Sequence, residues 1–222
     1  MNIINRTISG ILLIIFLASC STDRLNNYAE LCICEVTEHY SISTDNEENS
    51  IKEFSFTGSP IFDFNVPRYD FALSMAIQIN HDLQIDSLAL IKISINKNSD
   101  SDDETISYEF DYYELKRTSP KYFEIKDFIS SFVENSYNEE YQECRRMVEI
   151  DIEDKEFNSI MNNVKNGLEQ NYISTRIVSY KKAKGGIYKI YGGIWTENET
   201  LDLFRMQLKD TEKGIQIIEF EF

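Results

Sequence analysis

Proline and histidine are scarce in this chain, and both shortages are informative. The three prolines in 222 residues leave no Pro-rich linker, and no internal repeat or low-complexity tract divides the sequence. The two histidines, His39 and His81, both lie in the first half, so the second half has no imidazole for acid–base chemistry. Basic side chains are also few, 22 against 38 acidic ones, for a formal charge of −16. Such a surface repels phosphate backbones and anionic headgroups, which excludes nucleic acid as a partner and disfavours a second, electrostatic membrane contact. The acidity serves solubility or the recognition of a basic partner. There is no Gly-x-Ser-x-Gly elbow, His-Glu-x-x-His pair, P-loop or dinucleotide fingerprint, and nothing calls for a cofactor. After residue 20, no apolar run reaches the roughly 20 residues that span a bilayer.

The amino terminus reads MNIINRTISGILLIIFLASC. Arg6 and the terminal amine form a short positive region, and Ile11 to Leu17 form an apolar run too short to cross a membrane but suited to export. Leu17-Ala18-Ser19-Cys20 resembles the lipobox of bacterial lipoproteins. The resemblance implies cleavage before Cys20, lipid on its sulfur and attachment to a membrane. Two or three acyl chains hold firmly where one holds only marginally. Residues 1–19 are then a signal peptide and 20–30 a polar tether. Ser21 follows the lipid cysteine without the aspartate of inner-membrane retention, which points to the outer membrane.

The remaining chain, about 200 residues, has room for one large or two small domains. Residues 31–117 read as a β-rich region. Phe71, Leu73, Met75, Ile77 and Ile79 alternate as a half-buried strand should, Leu88 to Ile95 makes another strand, and Ile106, Tyr108, Phe110 and Tyr112 a third. Leu31–Val36 and Ile51–Phe56 are weaker candidates. Between Asn96 and Thr105 a polar loop carries Asp100, Asp102, Asp103 and Glu104, whose oxygens lack the glycine and distal glutamate of a calcium loop.

Ser119-Pro120 marks a helix start, with Ser119 as cap and Pro120 as first helical residue. Ile125, Phe128, Ile129, Phe132 and Val133 share one face of that helix. A short helix through Tyr141 and Cys144 follows, then one through Phe157, Met161, Val164 and Leu168 with Asp154 as its cap. Strands are expected from Ile173, from Ile187 to Trp195, from Leu201 to Leu208 and from Ile215 to Phe222. The fold class is therefore α+β: a β-rich half, then helices packed on a four-stranded antiparallel meander.

That order of elements over 118–222 resembles the NTF2-like (cystatin-like) superfamily, in particular uncharacterised exported bacterial proteins. It is carried by the Phe128/Ile129/Phe132 helix, the Phe157–Leu168 helix, Ser174–Tyr180, Gly186–Tyr191 and the closing Leu201–Ile217 hairpin. The resemblance implies a cone-shaped pocket, for which Tyr188, Tyr191, Trp195 and Phe204 are the lining candidates, although aromatics at strand spacing more often simply fill a core.

Lipidation of Cys20 leaves Cys32, Cys34 and Cys144, an odd number. A disulfide from Cys32 or Cys34 to Cys144 is open, with Cys34–Cys144 singled out. Cys32–Cys34 is disfavoured if the segment is extended, because residues two apart on a strand sit at the limit of disulfide reach, roughly 7 Å. Cys32, Cys34 and His39 as a metal site lack a fourth ligand. Asp86-Ser87-Leu88 and Asn198-Glu199-Thr200 match short glycosylation patterns that recur by chance.

The reading that follows is an envelope lipoprotein anchored through Cys20, with a non-catalytic module that binds a protein or small molecule. One alternative is an acidic immunity or inhibitor lipoprotein that neutralises a basic toxin. Another is an NTF2-like enzyme with a carboxylate base.

Overall fold

The computed structural model describes residues 25–42, 50–85, 89–96, 105–167, 172–197 and 200–222. Helix α1 covers 25–32. The chain then turns at Ile33, whose φ of 50° is left-handed, into strand β1 (Glu35–Ile42). Strands β2 (Ser50–Thr57), β3 (Ala89–Asn96) and β4 (Ile106–Phe110) complete a sheet in the order β1-β2-β3-β4. Its outer pairs are antiparallel and β2–β3 is parallel. Parallel neighbours need a crossover, usually a helix. A 3-10 turn at Pro60–Phe64, capped by Ser59, and helix α2 (Arg68–Leu83) supply it.

Helix α3 (Tyr112–Tyr137) starts at Asp111, whose carboxylate accepts from the Glu114 N–H at 2.8 Å. Short α4 (Tyr141–Arg146) and α5 (Asp154–Gly167) follow. The chain closes with an antiparallel meander of β5 (Tyr172–Lys182), β6 (Ile187–Thr196), β7 (Leu201–Thr211) and β8 (Gly214–Glu221). Gly185 and Gly186, both at positive φ, turn β5 into β6. The protein is thus mixed α/β, with a four-stranded antiparallel sheet after its helices.

Helix α2 joins the two sheets. It packs on β3 and β4, on β5 and on α3, and Asp70 to Ile79 are buried except for half-buried Leu73. The 71–79 stretch is therefore helix rather than the expected strand. The alternation of Phe71, Met75, Ile77 and Ile79 is misleading because Ala72, Ser74 and Ala76 between them are small and equally buried. A helix covered on every side has no polar face to reveal its period.

Three further expectations are corrected. Ser119-Pro120 lies inside α3 instead of starting it. Pro120 and Lys116 are both exposed, so the carbonyl that Pro120 leaves without a donor lies on the solvent side of the helix. Tyr112 begins α3 rather than ending β4. Residues 25–30, assigned to the tether, are helical, and Tyr28 is buried with its ring edge-on to Phe54. The boundary drawn at 117/118 falls within α3, and the buried core runs across it from Tyr28 to Ile217. The signal peptide, Cys20, the acidic loop with Asp100 to Glu104, Asp86-Ser87-Leu88, Leu168 and Asn198-Glu199 lie outside the described residues.

Candidate functional site

Strand β5 runs alongside α2 in the opposite direction. The Gln78 amide donates to the Ile177 carbonyl at 3.4 Å, and Asp70 faces Lys181 at 3.7 Å. The first turn of α2 therefore meets the end of β5. There Tyr69 and Asp70 from α2, Arg117 and Lys121 from α3, Tyr180, Lys181 and Lys182 from β5, and Tyr188 from β6 enclose a cleft of about 460 Å³. That volume falls within the range of small-molecule sites, roughly 300–1,000 Å³.

Aromatic rings form its floor. Tyr180 and Tyr188 are both buried and lie nearly parallel, with centroids 5.8 Å apart. Tyr180 also meets the buried Tyr122 edge-on at 5.5 Å, and burial pushes its phenol above the ordinary range. Tyr69 stands at the rim, exposed, and its ring meets Tyr108 at 5.5 Å.

The charges are unusual for this chain. Although acids outnumber bases 38 to 22 overall, four cations and a single carboxylate line the cleft among the described residues. Lys121 is held by Glu124 at 2.8 Å and Asp210 at 2.9 Å. Burial works against its ammonium, but the two carboxylates outweigh it and raise its pKa. Asp70 is 5 % exposed. Burial pushes its carboxyl above the ordinary range and Lys181 opposes the shift only in part. Arg117 and Lys182 are exposed and have no ion pair among the described residues. Cations of one sign in a concave, partly apolar site focus their field on an incoming anion.

The four aromatic residues expected to share a pocket do not converge. On β6, Tyr188 points with Ile190 and Ile194 to the buried face, and Tyr191 and Trp195 are half-buried at the opposite parity. Tyr191 and Phe204 instead border a groove of about 350 Å³ with Phe64 and Phe222, and Trp195 sits opposite Leu201 across the β6–β7 pair. The cysteine expectation is also corrected. Cys32 bonds to Cys34, with α-carbons 5.2 Å apart. Their segment is the left-handed turn at Ile33 between α1 and β1, not an extended strand, so the two residues come within reach. Cys144 is free and buried, and its thiol is pushed up to about 12 by burial. The disulfide also takes both thiols of the set weighed with His39.

Sequence pattern alone does not single out Tyr69, Asp70, Arg117, Lys121, Lys181 and Lys182. One signal is present: Lys181-Lys182-Ala183-Lys184 is a basic run at a strand end in an acidic chain. No family model matches the chain, and neither does any curated protein or solved structure.

Proposed function

We propose that this chain is an envelope lipoprotein, cut before Cys20 and held to a membrane by lipid on that cysteine, whose folded part is a non-catalytic binding module. The observation that carries the reading is Leu17-Ala18-Ser19-Cys20 placed directly after the apolar run and the positive amino terminus. Among the described residues no helix is long and apolar enough to cross a membrane. Ser21 supports an outer-membrane destination, and helices followed by a meander over 118–222 support an NTF2-like architecture for that part. The module takes a small molecule or a protein, not nucleic acid. A cleft of about 460 Å³ that gathers cations, a carboxylate and tyrosines supports a binding role.

Labelling with radioactive palmitate tests the anchor. The native chain should incorporate label and partition into the membrane fraction, and Cys20→Ser should lose both. Undiminished label in Cys20→Ser would overturn the reading. Inhibition of a basic toxin is the second reading, favoured by the net charge of −16, because opposite charge speeds encounter.

A further inference from the structure

We infer that the cleft between α2, α3 and the β5–β6 end is a binding site for a small anionic ligand, a molecule of about one sugar ring that carries a phosphate or carboxylate group and free hydroxyls. The inference deepens the binding-module reading above and rests on it for the term non-catalytic alone.

Three observations lead to it. The first is the inverted charge. In a chain where acids predominate, cations gather here from separate elements, Arg117 on α3 and Lys181 and Lys182 on β5 among them. Like charges brought together without counter-charge repel one another, so their gathering costs stability unless something negative offsets it. Internal ion pairs offset part of it: Lys121 has Glu124 and Asp210, and Lys181 has Asp70. Arg117 and Lys182 remain without a counter-ion among the described residues. An arginine fork and an ammonium lining one cleft suit the oxygens of a carboxylate or phosphate.

The second observation is Asp70. This carboxylate lines the cleft almost entirely out of water, and its one ionic partner among the described residues is 3.7 Å away. A buried carboxylate seeks hydrogen-bond donors. The hydroxyls of a polyol would supply them, whereas a fully deprotonated inorganic anion has no donor to offer. The third is the tyrosines. Tyr180 and Tyr188 lie buried beneath the cleft, and Tyr69 exposes its ring at the rim, a surface on which an apolar ring face rests. Cations, an acceptor and aromatic faces in a space of about 460 Å³ select a compact ligand with a charged end and a hydroxylated body.

Isothermal titration calorimetry on the full chain in detergent tests the assignment with glucose 6-phosphate, glucuronate and uncharged glucose as probes. One or both anionic sugars should bind, and the tighter of the two identifies phosphate or carboxylate as the preferred group. Glucose should bind at least about tenfold more weakly than the tighter anion. The double variant Arg117→Ala/Lys182→Ala should lose at least about tenfold in affinity with its melting temperature no lower than the native one, and Lys189→Ala, a cation outside the cleft, should bind as the native chain does. Absence of binding by every probe, or native affinity in the double variant, overturns the cleft assignment and leaves the anchored-module reading intact. Chemical conversion of a bound probe overturns the non-catalytic reading and leaves the cleft assignment intact.

Discussion

Asp70 shows how one residue sets both a site and a cost. Its carboxylate is nearly out of water, and Lys181, at 3.7 Å, is its single ionic partner among the described residues. Desolvation outweighs that attraction and the carboxyl pKa rises. A group with a raised folded pKa favours the fold while protonated, and this advantage is lost as pH climbs through the folded value. An asparagine at this position would carry no charge at any pH. Urea denaturation should therefore find Asp70→Asn more stable than the native chain at about pH 7, with the difference shrinking as pH falls to about 3, where Asp70 is largely protonated in both folded and unfolded chains. A less stable variant at neutral pH would mean that the Lys181 pair outweighs the desolvation. The cleft itself is hard to read from sequence for a reason visible at this scale: Tyr69 and Asp70, Arg117 and Lys121, and Tyr180 to Lys182 are separated by dozens of residues and meet only after folding. The parity of Tyr188 against Tyr191 and Trp195, by contrast, is present in the sequence and already argues against one shared pocket.

Among the described glycines, the two within β6 have the least room for a side chain. Gly192 and Gly193 are consecutive and so open onto opposite faces of the strand. A β-carbon on Gly192 would lie 2.1 Å from the Phe204 ring, and one on Gly193 would lie 2.3 Å from Leu201. Phe204 is buried, so its ring can yield only by shifting towards the groove that it borders with Tyr191. Gly192→Ala should thus cost about 1–3 kcal/mol, as overpacking of a core does. A thermal melt with an unchanged midpoint would mean that the ring moves freely. The closing strands were legible where buried residues alternate with less buried ones, as Phe204, Met206 and Leu208 do on β7, and the 3.6-residue stripe of Ile125, Ile129, Phe132 and Val133 marked α3. Helix α2 was hidden because residues 70–79 are buried nearly all round, which leaves no polar face there. The start of α3 was hidden because Ser119-Pro120 imitates a helix start, while the true cap, Asp111, stands at the end of β4.

At the scale of the molecule, α2 decides whether the chain behaves as one unit or two. Phe71 is fully buried in this helix, edge-on to Phe56 of β2 at 5.3 Å and to Phe62 of the 3-10 turn at 5.2 Å. Other positions of the same helix reach the second sheet through Gln78 to Ile177 and Asp70 to Lys181. Removing the Phe71 ring should cost about 3–5 kcal/mol, the usual loss for a buried phenylalanine. The distribution of that loss is the sharper test. The single tryptophan, Trp195, lies on β6 in the second sheet, far along the chain from the lesion and in the other sheet. If the core is continuous across α2, Phe71→Ala should lower the urea midpoint of Trp195 fluorescence as much as it lowers the midpoint of far-ultraviolet circular dichroism, because one cooperative transition moves every probe together. If Trp195 keeps its native midpoint while the dichroism shifts, the second sheet unfolds independently, and α2 belongs energetically to the first sheet alone.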